Sequence, residues 1–109
     1  MRNKGDSILL LYTLQNCIYC NWLKGKLDEE NIQFTEIIID DGTKYNNNLG
    51  DTIEKFYKTE SYPIVEIRNN KNSQILYSFI SKTNLAPEDT FIIFETIDEL
   101  IIKIKEKLQ

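Results

Sequence analysis

Ile8-Leu9-Leu10-Leu11-Tyr12-Thr13-Leu14-Gln15-Asn16-Cys17-Ile18-Tyr19-Cys20 is the stretch from which the rest of the chain is read. Ile8 through Leu14 is mostly apolar without alternation, which predicts a strand buried on both faces, as inside an α/β sheet. From Cys17 to Glu30 the period turns helical: Cys20, Leu23 and Leu27 share one face, and Asn31 suits a left-handed cap. Gly25 weakens this helix only slightly. Phe34 through Ile39 then reads as a second strand. Because a helix joins the two strands, the right-handed crossover rule makes them parallel. The unit is βαβ, with two cysteines where the first strand becomes the helix.

Outward from this unit, Asp40 to Asn48 reads as a turn-rich connection, with Asp41-Gly42 and three successive asparagines. Leu49, Ile53, Phe56 and Tyr57 then recur at helical spacing. Tyr62-Pro63 leads into a strand over Ile64 to Ile67, Pro being tolerated at a strand's first residue. Asn69-Asn70-Lys71-Asn72 turns that strand into a hairpin with Ile75 to Ile80. Thr96-Ile97-Asp98-Glu99 is a capping box, and Leu100, Ile101, Ile104 and Leu108 continue on one face of a final helix from about residue 97. Phe91 to Phe94 reads as a further strand; the alternative is a longer helix opened by Pro87. The sum is one α/β domain over residues 1–109, with a mixed sheet of four or five strands flanked by helices.

The composition bounds what such a domain can do. With 109 residues, 41% apolar and 28% charged, the chain fits one hydrophobic core. A net charge of -4 argues against a nucleic-acid partner, which needs a basic patch. No stretch reaches the ~18 apolar residues of a membrane span. Met1-Arg2-Asn3-Lys4 looks like the start of an export signal, but no small-residue cleavage site follows the apolar run. A soluble, cytoplasmic protein is expected, or one in the host cytoplasm if the gene is viral. Both cysteines lie in one local motif, so they do not staple distant parts of the chain.

The chemistry follows from where that motif sits. A thiol reacts as its thiolate, and the free N–H groups and positive dipole end of a helix N-terminus stabilise that anion. Cys17 is expected at the N-cap, its sulfur accepting from the Tyr19 and Cys20 amides. It is therefore the expected nucleophile. Cys20, one turn deeper, is placed to attack the mixed disulfide formed on Cys17. Two other readings compete. A zinc site needs four ligands, and this chain has no histidine and only two cysteines. Free cysteines are also often inert core residues, but the strand–motif–helix context favours redox chemistry.

With Leu11-Tyr12-Thr13-Leu14-Gln15-Asn16-Cys17-Ile18-Tyr19-Cys20 and the run from Leu27 to Asp40, the chain resembles the glutaredoxin family, including the small phage glutaredoxins that serve ribonucleotide reductase. The resemblance covers about residues 7 to 68. It implies a three-layer thioredoxin-like fold in which Pro63 is cis and faces the cysteines. It also implies that the backbone of Tyr62 pairs with glutathione or substrate and that Tyr19 packs beside the glutathione. From the residues alone, Pro63 could equally be trans, Tyr19 an exposed aromatic, and Trp22 either core or docking surface. The family's Gly-Gly-x-Asp motif aligns with Glu95-Thr96-Ile97-Asp98, where Thr96 and Asp98 would take part of the glutathione-binding role if they do not merely cap the helix; the anion site could instead lie after Ile80.

The implied activity is dithiol reduction of protein disulfides and glutathione mixed disulfides, serving electron transport and cell redox homeostasis. Glutathione would be a co-substrate, with no permanently bound cofactor and no metal; a thioredoxin-type flavoprotein reductase is the other candidate electron source. The partners would be protein disulfides, and the chain a monomer. A redox-silent binding module and an iron–sulfur homodimer ligated through Cys17 are the readings from other classes. Three departures weaken glutathione binding. Ile18 replaces the usual proline, Leu14 replaces a lysine that would contact a glutathione carboxylate, and Glu95 stands where the family has glycine.

Overall fold

The computed structural model describes residues 6–42, 44–82 and 90–108, with residues 44–47 described by backbone alone. The elements are β1 (Ser7–Thr13), α1 (Ile18–Glu29), β2 (Thr35–Ile38), α2 (Lys44–Tyr57), β3 (Ile64–Asn69), β4 (Ile75–Ser81), β5 (Ile92–Phe94) and α3 (Ile97–Leu108). The sheet has five strands in the order β2-β1-β3-β4-β5. β1 pairs parallel with β2 and antiparallel with β3, β3 antiparallel with β4, and β4 parallel with β5. The expected βαβ unit is present, and the sheet is mixed.

The apolar run of β1 is explained by its two neighbouring layers. Leu9 and Leu11 join a core with Leu23 and Leu27 of α1 and Leu100, Ile101, Ile104 and Leu108 of α3. Leu10 and Tyr12 point the other way, into a core with Ile53 and Tyr57 of α2 and with Cys20. Successive strand residues face opposite sides, so a strand covered on both faces has no place for alternating polar residues. Burying each such side chain stabilises the fold by ~1.5–3 kcal/mol.

Several boundaries differ from expectation. α2 begins at Lys44, inside the asparagine-rich stretch read as a connection. Asparagine's poor helix propensity, under ~1 kcal/mol per residue, is a weak prior against packing of the same helix through Ile53 and Tyr57. Among the described residues, a turn over residues 39–42 precedes it, with Gly42 at φ 92. Phe56 is 52% exposed and packs edge-on to Tyr57 and against Phe91 rather than in the core. Phe91 precedes β5, which runs parallel to β4 as a strand of three residues. Pro87, the alternative helix start, lies outside the described residues. Asn31 adopts φ 56 at the end of α1, as its left-handed cap role requires.

Glu66 on β3 is 1% exposed, a place where a carboxylate persists only if fully hydrogen-bonded. It is. Arg68 Nε donates to Oε1 at 2.7 Å, the Tyr12 hydroxyl donates to Oε1 at 3.1 Å, and the Tyr57 hydroxyl donates to Oε2. Tyr57 also meets Ser78 Oγ at 2.8 Å, tying β3, β4 and α2 together. Burial, then the Glu66 charge, pushes the Tyr12 phenol up to about 12. Burial and the bond to Glu66 push Tyr57 up as well.

Packing gives two glycine substitutions opposite signs. A Cβ on Gly25 meets nothing within 4 Å, so Gly25→Ala is expected to stabilise by about 0.5–1 kcal/mol through helix propensity. A Cβ on Gly50 would stand 2.6 Å from Ile39 Cγ2. Gly50→Ala is therefore expected to destabilise by about 1 kcal/mol net, overpacking outweighing propensity. Urea unfolding of both variants checks the signs. The Glu66 network makes stability depend on pH. A phenol whose folded pKa is raised adds stability that is whole below its unfolded value of ~10 and lost as pH rises through the folded value. Wild-type stability should thus fall between pH ~10 and about 12. Tyr12→Phe should flatten that fall by on the order of 2 kcal/mol, read by unfolding across the alkaline range.

Candidate active site

The strand direction of β1 and the helical start of α1 meet at Cys17. Asn16 takes a left-handed φ of 57, turning the chain out of the strand, and Cys17 is extended at φ -88 and ψ 111. That is N-cap geometry. The Cys17 carbonyl accepts the first helical bond from Asn21 N at 3.0 Å, and its sulfur accepts from Cys20 N at 3.2 Å. Of the two amides expected to reach this sulfur, only that of Cys20 does so among the described contacts. This matches the N3 position, whose N–H a capping side chain commonly satisfies.

Cys17 and Cys20 form a disulfide, with Cα atoms 5.2 Å apart. The two sulfurs are not equivalent. Cys17 is partly exposed, whereas Cys20 is 1% exposed and belongs to the core on the α2 side of the sheet. Any partner approaching from solvent therefore meets Cys17 first. Ile18, Tyr19 and Trp22, in the first two turns of α1 after it, are 77%, 60% and 48% exposed. Trp22 is thus surface, not core.

Opposite the cysteines lies the start of β3. The Tyr62–Pro63 peptide bond is cis, as the family resemblance implies, and the Tyr62 carbonyl oxygen is 4.0 Å from Cys17 Sγ. The Tyr62 side chain is buried, and its hydroxyl donates to Glu54 Oε2 on α2 at 2.7 Å. Thr59 Oγ1 accepts from Ser61 N at 3.1 Å and shapes the approach to this loop. On the other side, Gln15 N donates to Asp40 Oδ1 at 2.7 Å, and the Gln15 side-chain amide donates to the Asp40 carbonyl. The loop before Cys17 is thereby held against the end of β2. Neither Asp40 nor Glu54 is marked by any sequence motif, since each acts through a residue distant in the chain.

Cys17, Tyr19, Tyr62 and Pro63 are thus brought to one end of the sheet. The strand directions put the N-terminus of α3 at that same end, but none of the described hydrogen bonds joins Thr96 or Asp98 to the cysteines. Thr96 Oγ1 accepts from Glu99 N at 3.1 Å, and Glu99 Oε1 accepts from Glu95 N at 2.6 Å. The capping box is built, its glutamate reaching one residue further back than usual. Among the described residues no group of three His, Cys, Asp or Glu side chains could hold a metal ion.

The family model for glutaredoxins matches residues 9–71, more than half of the chain. The chain belongs to the glutaredoxin family. A solved structure described as that of a malarial protein is similar to this glutaredoxin over 96% of this chain and 100% of that one, with a TM-score of 0.52 and 19% identity. At that identity the likeness concerns the fold alone, which is thioredoxin-like. Thioredoxin-2, described as a component of malaria parasite protein secretion machinery, aligns over 97% of this chain and 85% of its own at 20% identity and a TM-score of 0.46. The search of curated proteins found no match. Family and fold, with the Cys17–Cys20 pair, support a thiol–disulfide oxidoreductase.

The site also carries a tyrosine of altered acidity. Burial, then the hydrogen bond to Glu54, raises the Tyr62 phenol above its ordinary value, and the Asp40 and Glu60 charges add to this. Glu54→Leu removes the acceptor of this buried hydroxyl and is expected to cost about 1–3 kcal/mol, whereas Glu54→Gln keeps an acceptor oxygen and should cost less. Urea unfolding of the two variants checks the order.

Proposed function

We propose that this glutaredoxin is a cytoplasmic, monomeric dithiol oxidoreductase that reduces protein disulfides and glutathione mixed disulfides. The observation that carries the reading is the asymmetry of the pair: Cys17 is partly exposed at a helix N-cap, and Cys20 is buried behind it. In the reduced protein, the Cys17 thiolate attacks a substrate disulfide. One substrate sulfur bonds to Cys17, and the other leaves as a thiolate that takes a proton from solvent. The Cys20 thiolate then attacks Cys17 Sγ, closing the Cys17–Cys20 disulfide and expelling the second substrate sulfur as a thiol after protonation. Two electrons pass from the dithiol to the substrate.

The helix N-terminus supports the first step. At the unperturbed pKa of ~8.5 only about 3% of the thiol is ionised at pH ~7, and lowering the pKa to ~7 raises that share to about half. The closed disulfide must then be reduced again, by glutathione or by a thioredoxin-type reductase. Ribonucleotide reductase, whose turnover consumes a dithiol, is among the protein disulfides such a donor would serve. Leu14 and Glu95 favour the reductase as electron source, because glutathione's carboxylates find no cation at either position.

The test is turnover of a glutathione mixed disulfide with glutathione and glutathione reductase, for wild type, Cys17→Ser and Cys20→Ser. Activity in wild type, background in Cys17→Ser and retained activity in Cys20→Ser is the expected result for a glutathione-based enzyme. If none of the three is active while wild type reduces a protein disulfide with thioredoxin reductase, the donor is the flavoprotein. Inactivity in both assays overturns the enzyme reading.

A further inference from the structure

The stretches of chain nearest Cys17 carry carboxylates and no lysine or arginine of their own. Three segments converge on it: residues 8–21, which lead into α1; residues 31–42, which include β2 and the following turn; and residues 59–67, which lead into β3. None of the three contains a lysine or arginine, while together they carry Glu36, Asp40, Asp41, Glu60 and Glu66. Two of these carboxylates are spoken for within the fold. Glu36 pairs with Lys24 at 2.8 Å, and Glu66 is buried with Arg68. Lys58, the other cation next to these segments in sequence, closes α2 at φ 55.

Asp40 and Glu60 remain exposed. Asp40 is fixed by Gln15, two residues before Cys17, and Glu60 stands two residues before Tyr62. Half-buried Glu54 holds the Tyr62 hydroxyl, and Tyr62 in turn places its carbonyl 4.0 Å from Cys17 Sγ. Beyond them, at the start of α3, Glu95 is only loosely matched by Lys82 at 3.5 Å, both about two-thirds exposed. The residues that hold the approach to the disulfide therefore present exposed negative charge, and the first turns of α1 add exposed apolar side chains at Ile18, Tyr19 and Trp22. Glutathione, with two carboxylates and one ammonium, meets that charge with a net charge of about -1 at neutral pH.

Resting on the oxidoreductase reading, we infer that Asp40 and Glu60 are specificity-determining residues that favour disulfides flanked by lysine or arginine over anionic ones, glutathione disulfide included. The selection acts on encounter and alignment, because exposed rim charges change association rates and their salt dependence more than bound-state affinity. The chemical step itself is the same dithiol exchange for every substrate.

The experiment uses the full chain, reduced and freed of reductant, mixed with three peptides of one length carrying the same disulfide flanked by lysine, serine or glutamate. The expected result is reduction of the lysine peptide about tenfold faster than the glutamate peptide at ~0.01 M salt, where screening is weak, falling to about twofold at ~1 M. The double variant Asp40→Asn/Glu60→Gln removes both exposed charges, and the amide oxygen it places at position 40 still accepts from Gln15 N. It should cut the low-salt ratio to about threefold or less. Equal rates for the two charged peptides in wild type, or a ratio that salt leaves unchanged, overturns the inference without the double variant. A ratio that survives in the double variant assigns the selection elsewhere and overturns it too. Failure to reduce even the serine peptide is the distinct outcome that overturns the oxidoreductase reading itself.

Discussion

The N-terminus of α1 is aimed by β1, a strand clamped between two helical layers and hydrogen-bonded on both edges. Because Leu9 and Leu11 are fixed against α1 and α3 while Leu10 and Tyr12 are fixed against α2, the strand cannot slip by one residue without exchanging its faces. The point at which it ends is therefore set, and with it the position of Cys17. The same two-sided burial draws Cys20 into the core and leaves Cys17 at the surface. What distinguishes two cysteines three residues apart is the packing of the strand that precedes them.

Two electrostatic influences meet at the Cys17 sulfur. The Cys20 amide and the α1 dipole favour its anion, by ~0.3–1 kcal/mol where exposed and up to ~2 kcal/mol where partly buried. Asp40 and Glu60 oppose it, but as exposed groups they act through water and salt, where a single charge pair typically contributes ~1 kcal/mol or less. The helix term wins at the sulfur because it is in contact; the carboxylates are left to act on what approaches. This division lets one site keep a reactive thiol and still present negative charge to its substrates.

The elements that the sequence makes legible are those whose signal is local. Period 3.6 after Cys17, the apolar run of β1, Asn31 at the helix end and the Thr96–Glu99 capping box each involve neighbours in the chain. What was not legible depends on partners far apart in it. The start of α2 runs through asparagines that local propensity reads as a turn, and the parallel pairing of the short β5 with β4 has no local signature. The carboxylates around the site were equally hidden. Gln15 meets Asp40 across 25 residues, Tyr12 meets Glu66 across 54, and Glu54 looks like any solvated helix charge until Tyr62 is folded onto it. The cysteines themselves stood out because their chemistry needs only a strand before them and a helix after.

The central claim is that the fold makes Cys17 the reacting thiol and shields Cys20. Substoichiometric alkylation of the reduced protein across a pH series, with the label located by mass spectrometry, tests it most directly. The account predicts that label enters at Cys17 with an apparent pKa below the unperturbed ~8.5, and that Cys20 is modified only once the protein unfolds. Labelling of Cys20 at a comparable rate in the folded protein, or a Cys17 pKa at or above ~8.5, would contradict it.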